Sequence, residues 1–277
     1  DWRDPPSGPF QVVVLRIPRQ LDYLDYLLRW VNQVLAPEGV LIAGGMIKHL
    51  PERSVSLFGQ RVQTSRVFPA RKKARVIECH AGQDTLADWG RLWQGYPVPG
   101  DDRMIVGLPA VFSRERLDPG AARVIPHVRR LATELGSGAS VLDLACGNGV
   151  LGAVAAVANR ALQLTLVDVS SQAVASAARN LGTVHNVRYC HSDGIPADAG
   201  DFDLVLLNPP FHEGGVVGDH IALRLFEQAR RHLKPGGQVL VVGNRHLGYH
   251  RSLRRWFSQV RQVDAEPRFV VFEASDR

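Results

Sequence analysis

From residue 123 onward a single pattern repeats along this chain: a short apolar run, a stretch with helical spacing, then another apolar run. "SVLDLACG", "LQLTLVDV", "VRYCHSD", "FDLVLLN", "QVLVVGN" and "RFVVFEA" are rich in Val, Leu and Phe and mostly stop at Gly, Asp or Asn. "ARVIPHVRRLATEL", "GVLGAVAAVANR", "SSQAVASAARNLG", "HIALRLFEQARRHLKPGG" and "HRSLRRWFSQV" precede or separate them and read as helices. The runs are near-continuously apolar, as strands buried on both faces are. Buried strands joined through helices form a mostly parallel sheet. Ligands of such sheets collect outside the carboxyl ends of the strands, so the residues just past each run are where chemistry is to be sought.

Bulk properties narrow the field. At 277 residues the chain is long enough for one large domain or two. No apolar run approaches the roughly 18 residues of a membrane span. The opening "DWRDPPSGPF" is polar and proline-rich, unlike a signal peptide, and lacks a starting methionine, so sequence is expected to precede it. Cys79, Cys146 and Cys190 form no C-x-x-C pair, which fits a reduced, cytosolic protein. Cys190 stands beside His191, but no second ligand pair follows at zinc spacing, and a buried cysteine without metal is the expectation. The net charge of +6 favours a polyanionic partner over a merely basic surface chiefly through its distribution. "RVFPARKKARVIE" gathers Arg66, Arg71, Lys72, Lys73 and Arg75, and "NRHLGYHRSLRRWF" interleaves cations with Tyr249, Trp256 and Phe257. Such mixtures suit phosphate contacts and base stacking; part of them is the solvated face of a helix.

The first third contains a shorter echo of the second half. "FQVVVLRIPRQ…LAPEGVLIAGG" and "FDLVLLNPPF…LKPGGQVLVVG" both run strand, helix, L-x-P-x-G, strand. Aligned at Phe10 and Phe202, Arg16-Ile17 falls where the later copy has Asn208-Pro209, and Pro18 meets Pro210. Leu35, Pro37 and Gly39 then meet Leu233, Pro235 and Gly237, which reads as a duplication. The Gly- and Pro-rich "GYPVPGDDRMIVGLPAVFSRERLDPG" between the copies reads as a linker with an edge strand or two, with a boundary near residue 115.

"VLDLACGNGVLG" sets Asp143, Gly147, Asn148 and Gly149 between a strand and a helix. Glycines allow a tight turn and close approach by a ligand, and the helix start offers free N–H groups. No Gly-Lys-Ser/Thr follows, so this is no P-loop. Gly147, Gly149 and Gly152 satisfy G-x-G-x-x-G, yet Asp143 just before them would repel a pyrophosphate and welcome an ammonium. Asp168 ends the next strand, about 20 residues on, where a carboxylate can accept from ribose hydroxyls. Asp193 ends a third strand, placed to accept from an adenine amine. An ammonium, a ribose and an adenine together describe S-adenosylmethionine, the expected cofactor, although each aspartate alone could simply cap a helix.

The strand in "DFDLVLLNPPFHEGG" stops at Asn208, and Pro209 and Pro210 remove two backbone donors and fix two φ angles. Asn-Pro-Pro can be no more than a loop start. Beside a cofactor loop it has a chemical reading. An exocyclic amine is a poor nucleophile because its lone pair is delocalised. Asn208 Oδ1 and the Pro209 carbonyl are two acceptors that can draw its nitrogen toward a pyramidal geometry. The prolines hold both acceptors, Asn208 also borders the cofactor, and Phe211 can stack on the base. His212 is either a proton acceptor or a pocket-wall or phosphate contact, and Phe112 and Ser113 either line the pocket or merely pack.

"VLDLACGNGVLG…LVDVS…HSDG…NPPF" resembles the class I S-adenosylmethionine-dependent methyltransferases, and "NPPF" resembles their amino-methylating branch. "FSRERLDPGAARVIPHV" is similar to the lead-in of ribosomal RNA guanine-N2 methyltransferases, whose N-terminal half is a degenerate copy of the catalytic domain. "GGMIKHLPERSVSLF", "KKARVIE", "NRHLGYH" and "RFVVFEA" resemble the large-subunit (23S) members most. The resemblance implies an α/β architecture. A partial, degenerate methyltransferase-like domain over residues 1–115 would bind RNA, with Lys72 and Lys73 as contacts. A Rossmann-like catalytic domain with a mostly parallel seven-stranded sheet would span 116–277. It implies a cytoplasmic monomer, with no metal and no membrane, that methylates the N2 amine of a guanine in ribosomal RNA. A 16S guanine, a protein glutamine, a DNA adenine, or an RNA-binding protein with a relic cofactor site are the alternatives; intact Asp143, Asp168, Asp193 and Asn208 speak against the last.

Overall fold

The chain divides into two compact units, Asp1–Trp93 and Gln94–Arg277. The structure, a computed structural model, describes residues 6–100, 102–210, 212–213, 216–217 and 220–276.

The first unit runs β1 (Phe10–Arg16), α1 (Leu21–Val34), β2 (Leu35–Met46), a 3-10 turn (Ile47–His49), α2 (Glu52–Arg61), β3 (Gln63–Val67) and β4 (Ala74–His80). Its sheet has the order β1-β2-β4-β3, with β1 and β2 parallel and the other pairs antiparallel. Leu24, Leu28 and Val31 recur at helical spacing on α1 and are buried with Leu41, Ala43 and Ile77. α1 also carries Asp25, whose Oδ1 accepts from Nε of both Arg29 and Arg61 at 2.8 Å. Arg61 reaches on to Asp84 at 2.7 Å, so the cations of this corner share two carboxylates.

β3 and β4 form a hairpin with the two-residue turn Lys72-Lys73. Arg71 and Ala74 exchange both backbone hydrogen bonds at 2.9 Å, and the lysines have φ of 47° and 63°. Two consecutive left-handed residues make a type I′ turn, a conformation that favours Asn-Gly and strains a residue with a Cβ.

The second unit begins with a hairpin, β5 (Gln94–Pro97) and β6 (Met104–Gly107). There follow α3 (Pro119–Glu134), β7 (Ser140–Leu144), α4 (Val150–Ala158), β8 (Gln163–Asp168), α5 (Ser171–Leu181), β9 (Val187–His191) and β10 (Phe202–Leu207). After the short pair β11 (His212–Glu213) and β12 (Val216–Val217) come α6 (His220–Arg231), β13 (Leu233–Asn244), a 3-10 turn (Arg245–Leu247), α7 (Tyr249–Leu253), β14 (Gln259–Ala265) and β15 (Phe269–Ser275). The seven-stranded sheet has the order β14-β15-β13-β10-β7-β8-β9. β9, β8, β7, β10 and β13 are parallel, and β15 enters antiparallel between β13 and β14. Alternate residues of one strand feed two cores on opposite faces: Leu204 and Leu206 on one, Val205 and Leu207 on the other. The strand order reverses between β7 and β10, and that switch point is where a crevice opens in such sheets.

Two expectations differ from the fold. "HRSLRRWFSQV" is not one helix: α7 ends at Leu253, and β14, starting at Gln259, pairs with β15. The division between units falls at Trp93/Gln94 rather than near residue 115. The reason is hydrogen bonding to α5. Asn180 Oδ1 accepts the Val106 N–H at 3.0 Å, its Nδ2 donates to the Val106 carbonyl at 2.8 Å, and Ser176 accepts the Leu108 N–H at 3.0 Å. The supposed linker is thereby built into the second unit.

The repeat is present in the backbone. Apart from the short β11-β12 pair inserted before α6, β1-α1-β2-turn-α2-β3-β4 and β10-α6-β13-turn-α7-β14-β15 have the same element order, and β1-β2-β4-β3 and β10-β13-β15-β14 the same sheet order. Both parallel pairs slip register at the same place, between Phe10 and Val12 in one and Phe202 and Leu204 in the other. Gly39 and Gly237 are needed at the matching point, since a Cβ would stand 2.7 Å from the Phe10 carbonyl or 2.8 Å from that of Phe202.

Candidate active site

The carboxyl ends of β7, β8, β9 and β10 open onto one cavity of about 640 Å³, within the range of small-molecule sites. The structure brings Asp143, Gly147, Asn148, Asp168, Asp193, Asn208, Pro209 and Pro210 to its wall. These come from four strand ends spread over more than sixty residues of sequence, and the parallel sheet is what aligns them.

The loop after β7 is held from β8. Asp168 Oδ2 accepts the Gly147 N–H at 2.9 Å while its Oδ1 accepts that of Ser170 at 2.8 Å. Gly147 has φ 56°, and a Cβ there would meet nothing within 4 Å, so the cavity side of the turn is open to a ligand. Gly149 is different and is absent from the cavity wall. At φ 77° it begins α4, and a Cβ would lie 2.8 Å from that of Ala177 on α5. Its lack of a side chain serves helix packing.

Electrostatically the cavity floor wants a cation. Burial pushes the Asp143 carboxyl up to about 7, partly opposed by the Gly152 N–H it accepts at 2.8 Å and reinforced by nearby Asp168. Asp168 is raised as well, again mainly by burial. A ligand ammonium would restore the charged form of either acid. Burial also holds the Cys146 thiol well above its usual value, so it is no thiolate nucleophile.

Two predicted contacts have other engagements. The Asn148 side chain, 3% exposed, donates to Tyr96 Oη at 3.0 Å and to the Ser113 carbonyl at 3.3 Å, and so ties the glycine loop to the segment before α3. Asp193 pairs with Arg224 of α6 at 2.5 Å, and that bond holds its carboxyl below the usual range.

Asn208 follows directly on Leu207, which lies beside Leu144 in register, so the Asn-Pro-Pro turn and the glycine loop leave adjacent strands. Its Nδ2 donates to Asp118 Oδ2 at 3.3 Å. Its Oδ1 is buried and has no hydrogen-bond partner among the described residues. Unpaired buried acceptors are rare and mark strain or function. Pro209 is buried and Pro210 exposed.

Phe211 lies outside the described residues, as does the side chain of His212. Lys72 and Lys73 belong to the first unit and line none of this cavity. Sequence reasoning missed Asp118 and Tyr96 and left Phe112 and Ser113 undecided. Phe112 proves 59% exposed and on the cavity wall, between Ala110 at φ 71° and Ser113 at φ 52°. It is presented there rather than packed. Asp118-Pro119-Gly120 carried a legible helix-start signal, Asp before Pro, but nothing that pointed to Asn208. Among the described residues no helix is long and apolar enough to cross a membrane, and no cluster of His, Cys, Asp and Glu could hold a metal.

A seven-stranded sheet in this order, with a glycine loop and acidic strand ends around one cavity, defines a class I methyltransferase. Comparison with known proteins agrees: residues 102–273 match the Methyltransferase small domain family, and residues 1–83 match the RLMG N-terminal domain. The chain is 41% identical over 278 aligned residues to Ribosomal RNA large subunit methyltransferase G of Pseudomonas putida, covering 97% of this chain and 71% of that protein. It is 39% identical to the protein of that name from Pseudomonas aeruginosa, covering 96% and 71%. A T. thermophilus 16S rRNA N2 methyltransferase, solved with AdoMet and guanosine, superposes with a TM-score of 0.84 at 25% identity, covering 98% of this chain and 74% of that one. The chain belongs to the ribosomal RNA large subunit methyltransferase G family.

Proposed function

We propose that this chain transfers the methyl group of S-adenosylmethionine to the exocyclic N2 amine of a guanine in large-subunit (23S) ribosomal RNA. The observation that carries this reading is the buried Oδ1 of Asn208, without a hydrogen-bond partner among the described residues, at the switch point of a cavity lined by acids. The cofactor, when bound, supplies a methyl on a positively charged sulfur. Asp143 would hold its ammonium, Asp168 its ribose hydroxyls, and the backbone at Gly147 would approach it closely. Asp193 reaches an adenine amine only by sharing itself with Arg224.

The base amine must then be aligned and its lone pair localised. Asn208 Oδ1 and the Pro209 carbonyl accept its two N–H bonds, and Pro209 and Pro210 fix the backbone carrying them. The amine nitrogen would take the methyl as the carbon–sulfur bond breaks, its electron pair staying on sulfur as a neutral thioether, and would shed one proton to water. No strong base is required, and alignment supplies the rate, up to roughly 7–11 kcal/mol in the ideal limit. Phe112 offers an exposed ring at the cavity, as Phe211 would, and a paired base must flip out to reach them.

The large-subunit substrate is supported by the 39–41% identity to enzymes named for it, against 25% to the 16S enzyme. The hairpin of the first unit supports an RNA partner. Lys72 and Lys73 sit exposed at a strained turn, and strain retained at an exposed tip fits a functional use of the two cations. The same substrate implies a cytoplasmic setting.

Tritiated methyl transfer to unmodified ribosomal RNA, followed by mass-mapping, tests the proposal. One N2-methylguanine in 23S RNA is expected. Label confined to 16S RNA, to DNA or to a glutamine-bearing protein would overturn it.

A further inference from the structure

We infer that Asp118 is a positioning residue that sets the orientation of the Asn208 amide and thereby makes the site specific for a donor group, an amine. This rests on the proposed role of Asn208 as an acceptor. An asparagine amide has two orientations of nearly equal shape, related by a half-turn that exchanges Oδ1 and Nδ2. A site meant to accept from an amine works in one of them only. In the other it would present N–H groups to N–H groups.

Asp118 decides between the two. A carboxylate can only accept, so the amide face turned to it must be the Nδ2 side. The distance of 3.3 Å is at the long end for such a bond, and a flipped Asn208 would set oxygen against charged oxygen across it. With Nδ2 taken, Oδ1 is left buried and without a partner among the described residues.

Asp118 is itself immobilised. It is the N-cap of α3: its Oδ2 accepts the Ala121 N–H at 2.8 Å and its carbonyl accepts that of Ala122 at 2.8 Å. Pro119 follows at the first helical position, and Val124, Ile125 and Val128 of the same helix are buried in the core. The same carboxylate oxygen thus serves the cap and Asn208, and α3 transmits its rigidity to the reacting end of β10.

That double use makes the inference testable. Serine caps a helix as well as aspartate does, but its hydroxyl is one atom too short to reach Asn208. Asparagine keeps an oxygen at the original reach, and the Ala121 N–H forces that oxygen to face both donors. In Asp118→Ser, cofactor affinity and thermal midpoint should stay close to wild type. Its kcat on ribosomal RNA should fall roughly 10- to 100-fold, the range in which a misplaced reacting group operates. Asp118→Asn should restore kcat to within about five-fold of wild type, as rescue by a retained acceptor requires. In 15N spectra, the Asn208 side-chain amide, assigned by its loss in Asn208→Asp, should shift in Asp118→Ser and hold its place in Asp118→Asn. Wild-type kcat in Asp118→Ser, equal loss in both variants, or an unmoved amide resonance would each overturn the inference. If the wild-type protein methylates no RNA, the functional reading fails, while the amide resonance still decides the positioning role.

Discussion

Asp168 and Gly147 are joined by a 2.9 Å hydrogen bond between a carboxylate at the end of β8 and a backbone N–H of the loop after β7. The acid expected to hold the cofactor's ribose therefore also shapes the turn that meets the rest of the cofactor. Loop and pocket are one construction.

The two glycines of this loop are predicted to fail differently. Gly147→Ala places a methyl in the open cavity and strains a left-handed residue by about 1–2 kcal/mol. Calorimetry should show cofactor affinity weakened by about tenfold or more with the fold retained. Gly149→Ala drives a methyl into Ala177 and should lower the thermal midpoint further than Gly147→Ala does. Unchanged cofactor affinity in Gly147→Ala would remove the loop from the binding site.

Cofactor binding should depend on pH through Asp143. Its folded-state value is raised to about 7, so the protonated acid is favoured in the empty fold. This group's contribution to stability is full below the ordinary carboxylate range and is lost as pH rises through about 7. An ammonium selects the carboxylate, so affinity should rise between about pH 6 and about pH 8, with proton release at the lower pH. Titration calorimetry in buffers of different ionisation enthalpy reads both effects, and Asp143→Asn should abolish the proton release. A flat profile would place the ammonium elsewhere.

Asn208→Ala removes the unpartnered acceptor and should leave cofactor affinity near wild type while kcat drops about 10²- to 10³-fold, as loss of one aligned hydrogen-bonding group does elsewhere. Single-turnover methyl transfer at saturating RNA measures it. Retained turnover would end the acceptor role.

The hairpin should show a trade between stability and binding. Lys72→Asn with Lys73→Gly supplies the residues a type I′ turn favours and should stabilise the first unit by about 1–2 kcal/mol. The same change should raise the KM for RNA and reduce the salt slope of RNA binding by about 1–2. Denaturant unfolding and filter binding across salt concentrations decide it. Undiminished RNA affinity would show the lysines to be bystanders.

Much of this was legible in the chain. Continuous apolar runs ending at Asp143, Asp168, Asp193 and Asn208 mark buried parallel strands with polar groups at one edge, because a side chain just past a buried strand must face the crevice. The echo between residues 10–45 and 202–243 was visible because a backbone slip needs the same glycine twice, at Gly39 and Gly237. Less legible was the end of the sheet. "HRSLRRWFSQV" has helical spacing, yet its last residues join β15, since pairing with an existing edge outweighs local preference.

The sequence by itself determined the kind of sheet, the edge on which chemistry gathers and the residue types that gather there. These follow from local periodicity and from the rule that strand ends open the site. Only the tertiary structure decided what each side chain faces. It assigned Gly147 to the cavity and Gly149 to α5, and it tied Asn148 to Tyr96. It also set Asp118 against Asn208 across 90 residues of chain. A hydrogen bond at such separation leaves no periodic trace in the sequence: it depends on two elements being brought together by a core that neither residue belongs to.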